Sequence, residues 1–246
     1  MKRILASAVL ATVSMGAQAA SDIDALQDLA NTYGQEGFRL LSEDLGAALS
    51  YKALAPAEPL GITGFDIGIE MTATQLEHSK LFDAVTTGSN FDSLPVAKLH
   101  VHKGLPFNID VGAFLSEVPD SNIKLTGAEL RYAFLEGGVA MPALALRGTY
   151  TKLSGVDELD LSTRGLELTI SKGLAMFTPY AGVGKVWTTS TPNLPDTAPV
   201  QLEEEKFSQN KMLVGANLNM GLMNLAVEGD KTGDATTYGL KLGLRW

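Results

Sequence analysis

Alternation with a period of two, repeated in segment after segment, is the feature that most limits what this chain can become. Phe65, Ile67, Ile69 and Met71 alternate with Asp66, Gly68, Glu70 and Thr72. Leu99 and Val101 alternate with Lys98, His100 and His102, and Phe107, Ile109, Val111, Ala113 and Leu115 alternate with Asn108, Asp110, Gly112 and Ser116, interrupted only by Phe114. Ala128, Leu130, Tyr132 and Phe134 oppose Gly127, Glu129 and Arg131, while Leu144, Leu146 and Tyr150 oppose Ala145, Arg147 and Thr149. Leu166, Leu168 and Ile170 oppose Glu167, Thr169 and Ser171, and Val214, Ala216, Leu218 and Met220 oppose Gly215, Asn217 and Asn219. Successive side chains of a strand point to opposite faces, so each segment carries one apolar face and one polar or glycine face. A soluble sandwich would bury the apolar faces against each other and would manage with strands of about five or six residues. These segments are longer, near the roughly 9 to 11 residues that a tilted strand needs to cross a bilayer. The pattern predicts an all-β fold: a transmembrane antiparallel up-and-down β-barrel, apolar side to lipid and polar side to the lumen.

The C-terminus sharpens this. Tyr238, Leu240, Leu242, Leu244 and Trp246 alternate with Gly239, Lys241, Gly243 and Arg245, and the sequence stops on the aromatic residue. In this the chain resembles the bacterial, Gram-negative outer-membrane β-barrel proteins. The resemblance covers Leu45 to Trp246 and defines no narrower family. It implies that these five residues are a membrane-assembly signal read by the barrel-assembly machinery, and that the surroundings are outer-membrane lipid and lipopolysaccharide. Aromatic placement agrees: Phe65, Phe107, Phe134, Phe177 and Trp246 fall at one expected interface, and Tyr150, Trp187 and Tyr238 at the other. Short connections at 103–106, 136–138, 172–174 and around Gly221 are expected to face the periplasm, and the long ones at 75–93 and 190–206 the outside. Lys185 shares the apolar face of Val183 and Trp187, where it is expected to reach toward the interface.

Lys2 and Arg3, the apolar run from Ile4 to Met15 and Ala17-Gln18-Ala19 read as a cleaved secretory signal over residues 1–19. Beyond it no apolar run approaches the 18 or more residues of a spanning helix. With 28 acidic against 19 basic residues the chain lacks the clustered Lys and Arg that a nucleic-acid partner requires. The absence of cysteine removes disulfides, thiolate metal sites and cysteine nucleophiles. Ser21 and Asp24 resemble a helix cap, and Ile23, Leu26, Leu29, Ala30 and Tyr33 follow with helical spacing until Gly34 and Gly37. Residues 20–44 are thus expected to be a helical segment, lying under the barrel or entering its lumen from the periplasmic side as a plug, with the barrel proper at 45–246.

Eleven strands can be counted: 45–54, 63–73, 95–103, 107–116, 123–134, 140–152, 159–171, 177–189, 208–220, 223–230 and 236–246. Bacterial single-chain barrels have even numbers. Twelve strands, with part of 33–44 as a strand, is the preferred expectation, and ten, with 45–54 outside the wall, is the alternative.

Chemistry is sparse. His100 and His102 project to one side beside Lys98, but no serine pattern supports a hydrolase, and a metal site would need a third ligand, for which Asp110 is the nearest carboxylate. No catalytic residue, metal or cofactor is assigned. The candidate lumen or transport path is His100, His102, Asp110, Glu129, Arg131, Arg147 and Glu167, with Asp66, Glu70, Glu228, Asp230, Lys241 and Arg245 also facing inward. Glu203, Glu204 and Glu205 either hold a divalent cation bridging lipopolysaccharide or form a solvated acidic loop. The first functional reading is a narrow channel or carrier for a small or apolar solute of unknown identity. The others are a structural or interaction barrel with a closed lumen and, last, a lipid-modifying enzyme using His100 or His102.

Overall fold

The structure, a computed structural model, describes residues 26–81, 92–118, 121–138, 140–195 and 197–246. The expected signal at 1–19 and the cap at Ser21 and Asp24 lie outside these. A helix, α1 (Leu26–Leu49), precedes ten strands: β1 (Phe65–Gln75), β2 (Ser93–Leu105), β3 (Ile109–Glu117), β4 (Lys124–Glu136), β5 (Ala143–Ser154), β6 (Leu159–Ser171), β7 (Phe177–Pro192), β8 (Glu205–Met220), β9 (Met223–Thr232) and β10 (Ala235–Arg245). Each strand pairs antiparallel with its sequence neighbours, and β1 pairs with β10 to close the barrel.

Closure is made by the residues the alternation marked. β1 and β10 run in register from Asp66 opposite Arg245 to Gln75 opposite Thr236. The terminal residue extends the seam: Phe65 N donates to Trp246 O at 2.8 Å, Trp246 N donates to Phe65 O at 3.1 Å, and the two rings stack at 5.4 Å. Tyr238, Leu240, Leu242, Leu244 and Trp246 all face outward and are exposed, as are Phe107, Phe134, Phe177, Tyr150 and Trp187. Such a row of exposed large hydrophobics is stable only against lipid. Lys185 is also on the outside.

Ten strands, not the preferred twelve, make the wall, and the expected strand at 45–54 is where the count fails. Leu45, Ala47, Leu49 and Tyr51 fit a period of two, yet Phe38, Leu41, Leu45 and Leu49 are equally spaced for one side of a helix. Helix wins because that stripe has somewhere to go: Leu26, Leu29, Phe38, Leu41, Leu45 and Leu49 pack in one apolar cluster with Phe114, Leu125, Leu153, Leu159 and Leu161 from the inner wall. The expected strand within 33–44 is likewise helical. Gly34, at φ 61° and ψ −154°, breaks α1 into two pieces, a backbone state that glycine reaches without Cβ strain. Gly37 continues the second piece instead of breaking it.

The helix sits at the long-loop end of the barrel, opposite to the end at which a periplasmic plug was expected to enter. Leu26 N donates to Glu158 Oε2 at 2.9 Å in the β5–β6 loop, and Ser42 Oγ donates to Ser190 Oγ near the top of β7 at 2.8 Å. From Leu49 the chain runs without regular structure down the lumen to Phe65, where β1 starts at the short-turn end.

Candidate functional site

The lumen is the candidate site. Its wall charges come from inward positions of nearly every strand, and all seven residues proposed from sequence project into it and are buried: His100, His102, Asp110, Glu129, Arg131, Arg147 and Glu167. They do not line an open bore. Asp110, Arg131 and Arg147 bond the main chain of the descending segment at 50–60, His102 meets the hydroxyl of its Tyr51, and His100, Glu129 and Glu167 pair with other wall residues.

Nearest the short-turn end, Arg131 bonds Asp110 through Nε at 3.0 Å and donates from Nη1 to Pro56 O at 2.6 Å, while Leu60 N donates to Asp110 Oδ1 at 3.1 Å. In mid-barrel, Arg147 lies 3.2 Å from Glu129 Oε2, 3.1 Å from Glu167 Oε2 and 3.2 Å from Ala55 O. Lys211 Nζ donates to Glu167 Oε1 at 2.6 Å and to Tyr51 O at 2.9 Å. Lys52, carried by the segment itself, donates to Asp230 Oδ1 at 2.9 Å, and Ala57 N donates to Ser171 Oγ at 3.1 Å. Charges so completely removed from water are tolerable only when paired, and here the threaded carbonyls take up part of the hydrogen bonding of Arg131, Arg147 and Lys211, while Glu129 meets Arg147 and His102 as ion pairs alone.

The histidines form a second cluster. His102 Nε2 lies 3.3 Å from Glu129 Oε1 and 3.2 Å from Tyr51 Oη, and His100 Nε2 lies 3.4 Å from Asp66 Oδ1. The carboxylate that joins them is Asp66, from β1 on one side, not Asp110 from β3 on the other, which Arg131 occupies. Asp66, His100 and His102 offer ligand atoms within 4.8 Å of one another, a donor set suited to a transition metal. Lys241 Nζ already sits 2.9 Å from Asp66 Oδ2, however, and its positive charge opposes a cation there. Among the described residues, no serine hydroxyl is a polar partner of either ring.

Above the lumen, α1 is tied to the loops. Gln35 donates to Glu203 O at 3.0 Å and accepts from Glu203 N at 2.8 Å; Arg39 Nη1 donates to Glu205 Oε2 at 3.0 Å and its guanidinium lies 4.4 Å from the Phe207 ring centre. Glu204 turns instead to Lys206 and Thr191. The carboxylates of Glu204 and Glu205 thus take different partners, Gln35 meets Glu203 through its main chain, and among the described residues the three glutamates do not group as cation ligands. Burial works against the charge of Arg39, but Glu43 and Glu205 outweigh it and raise its pKa. Burial pushes the Asp44 carboxyl above its ordinary value, against the 2.8 Å hydrogen bond from His78 N.

Reading parity along each strand would also have found Lys211, which opposes the outward Met212 and Val214. Lys52 and Tyr51 had only the parity of the expected strand at 45–54, which the structure does not contain.

No family model matches this chain, and no curated protein matches it. Among solved structures it is similar to the outer membrane protein OprG of Pseudomonas aeruginosa, at 13% identity over 78% of this chain and 99% of that one, TM-score 0.38. It is also similar to the N-terminal β-barrel domain of Pseudomonas aeruginosa OprF, at 11% identity over 76% and 99%, TM-score 0.37. The outer membrane protease OmpT of Escherichia coli matches at 10% identity over 74% and 95%, TM-score 0.40. The ladder carries the fold by itself: a closed antiparallel barrel, apolar outside and charged inside, with short turns at one end, is the build of a transmembrane β-barrel.

Proposed function

We propose that this is an outer-membrane barrel closed by its own N-terminal segment, acting through the surface that α1 and the long loops present outside the cell. The observation that carries this is the clamp on residues 50–60: the guanidinium groups of Arg131 and Arg147 and the ammonium of Lys211 each hold a main-chain carbonyl of that segment. The wall charges are thus turned on the chain rather than offered to a solute. The segment is also held by connectivity, since Phe65 fixes its lower end in β1 and α1 fills the mouth above.

A channel or carrier, the other reading favoured by the sequence, needs a path past this segment. The purified full chain in a planar bilayer separates the two. Background current at all voltages is expected; stable single-channel steps from the folded, full-length protein would overturn the closed reading and favour the channel. The enzyme reading finds less support, since His100 and His102 are buried beneath α1 and meet carboxylates and a phenol.

A further inference from the structure

The outside of the barrel breaks its own rule most densely in one place. Outward positions on β1, β2, β3 and β10 are apolar along most of their length, but Lys152 of β5, Arg164 of β6 and Lys185 of β7 also face out and are exposed. Of the other outward cations near the loops, Lys124 Nζ lies 2.8 Å from Glu117 Oε1 and Lys206 pairs with Glu204, while Lys231 of β9 stands singly, with no second cation beside it. Among the described residues none of Lys152, Arg164 and Lys185 has a carboxylate.

Register brings the three together. Tyr150, Arg164 and Trp187 stand side by side in one row across β5, β6 and β7. Lys152 opposes Ser162, one outward step toward the long loops, and Lys185 opposes Leu166, one outward step toward the turns. Each lysine is therefore a diagonal neighbour of Arg164, about 7 to 8 Å away at the backbone and well within reach for such long side chains. The outward residues opposite them are donors or neutral, Ser162, Thr189, Ser208 and Asn210, and the one carboxylate diagonal to Lys152, Asp160, accepts a hydrogen bond from Asn193 at 2.9 Å.

Beside Arg164 the wall is notched. Gly148 faces outward, and a Cβ placed on it would meet no atom within 4 Å. The shallow depression left there is walled by Ala128, Leu130, Tyr150 and Arg164. An apolar notch below an unpaired guanidinium, with two ammonium groups flanking it and two aromatic rings at interface level, is complementary to an acylated phosphate.

We propose that this face binds lipopolysaccharide, with a lipid A phosphate held by Arg164, Lys152 and Lys185 and an acyl chain lying in the Gly148 notch. The outer leaflet is the source, because Arg164 and Lys152 lie toward the long-loop ends of their strands. Guanidinium and ammonium groups facing lipid without counter-ions are unfavourable, and a phosphate of the bilayer supplies the missing anion. The site lies outside the wall and does not depend on whether the lumen conducts.

The test is native mass spectrometry of the full-length protein in detergent with bisphosphorylated lipid A, in competition with phosphatidylglycerol and with inorganic phosphate. The intact protein is expected to retain lipid A in preference to both, and the double variant Arg164→Gln with Lys185→Gln to lose at least tenfold in bound fraction. Lys231→Gln, an outward cation on β9 away from the patch, is expected to change nothing. Filling the notch with Gly148→Val is expected to lower lipid A binding while leaving the phosphate-binding cations in place, which keeps the proposal testable if the double variant does not fold. Equal retention of dephosphorylated lipid A, or full binding by the folded double variant or by Gly148→Val, overturns the site. Equal competition by phosphatidylglycerol or by inorganic phosphate overturns lipopolysaccharide as its ligand.

Discussion

Replacing Lys52 by methionine should loosen the lumen segment without loosening the wall. Lys52 and Asp230 lie 2.9 Å apart with side chains 0% and 2% exposed, and the lysine contributes nothing to any interstrand ladder. Removing one member of a buried pair costs about 3 to 5 kcal/mol because the other charge is left behind. Asp230 would keep the hydroxyl of Thr232, which donates to it at 2.8 Å, so the lower end, about 3 kcal/mol, applies. At about 1.4 kcal/mol per factor of ten, the population in which the segment has let go should rise by about a hundredfold. Hydrogen exchange read by mass spectrometry reports such local opening directly. Peptides covering 50–60 should exchange about a hundred times faster, while β7, β8 and β9 keep their protection. Adding Asp230→Asn, which removes the orphaned charge, should recover most of the protection. Unchanged exchange at 50–60, or equal loss of protection throughout the wall, would refute the idea that the wall charges serve to hold the threaded segment.

Deleting Trp246 should sharply reduce the fraction that shows heat-modifiable migration, because both main-chain bonds to Phe65 and the ring stack at the seam are lost, whereas deleting residues 20–33 should have little effect on that fraction. Gly46 faces Thr188 so closely that a Cβ would lie 2.5 Å from Oγ1; Gly46→Ala should therefore weaken the docking of α1 by about 1 to 3 kcal/mol, read as faster exchange at 38–49, and Thr188→Ala should relieve most of it. Arg147→Met should lower resistance to urea unfolding by about 3 to 5 kcal/mol, since Glu129 and Glu167 would both lose a buried partner.

Much of the wall could be read from residue order because lipid imposes a rule on every second side chain. Leu240, Leu242 and Leu244 have no other stable place to point. The helix at the mouth was harder, and its trace was present as exceptions: Phe114, Leu125, Leu153, Leu159 and Leu161 are apolar at inward positions where a water-filled lumen would want polar ones. Taken together they form a greasy socket, but singly each looks like a lapse in alternation. The short spacing of Leu45, Ala47 and Leu49 satisfies helix and strand alike, so the decision passes to what lies across from them. Arg131 and Arg147 were legible as inward charges, yet each also holds a carbonyl, of Pro56 and of Ala55, and main-chain groups leave no mark on a sequence.

The route of the chain also constrains how the molecule is made. A cylinder with a rod packed inside it is rolled around the rod; the rod is not pushed in afterwards, least of all one headed by a helix wider than the path behind it. Residues 26–64 must already run from one side of the membrane to the other when β1 meets β10, so the seam at Phe65 and Trp246 is the last joint to be made. The beginning of the chain has to wait, already at the long-loop end, for its end.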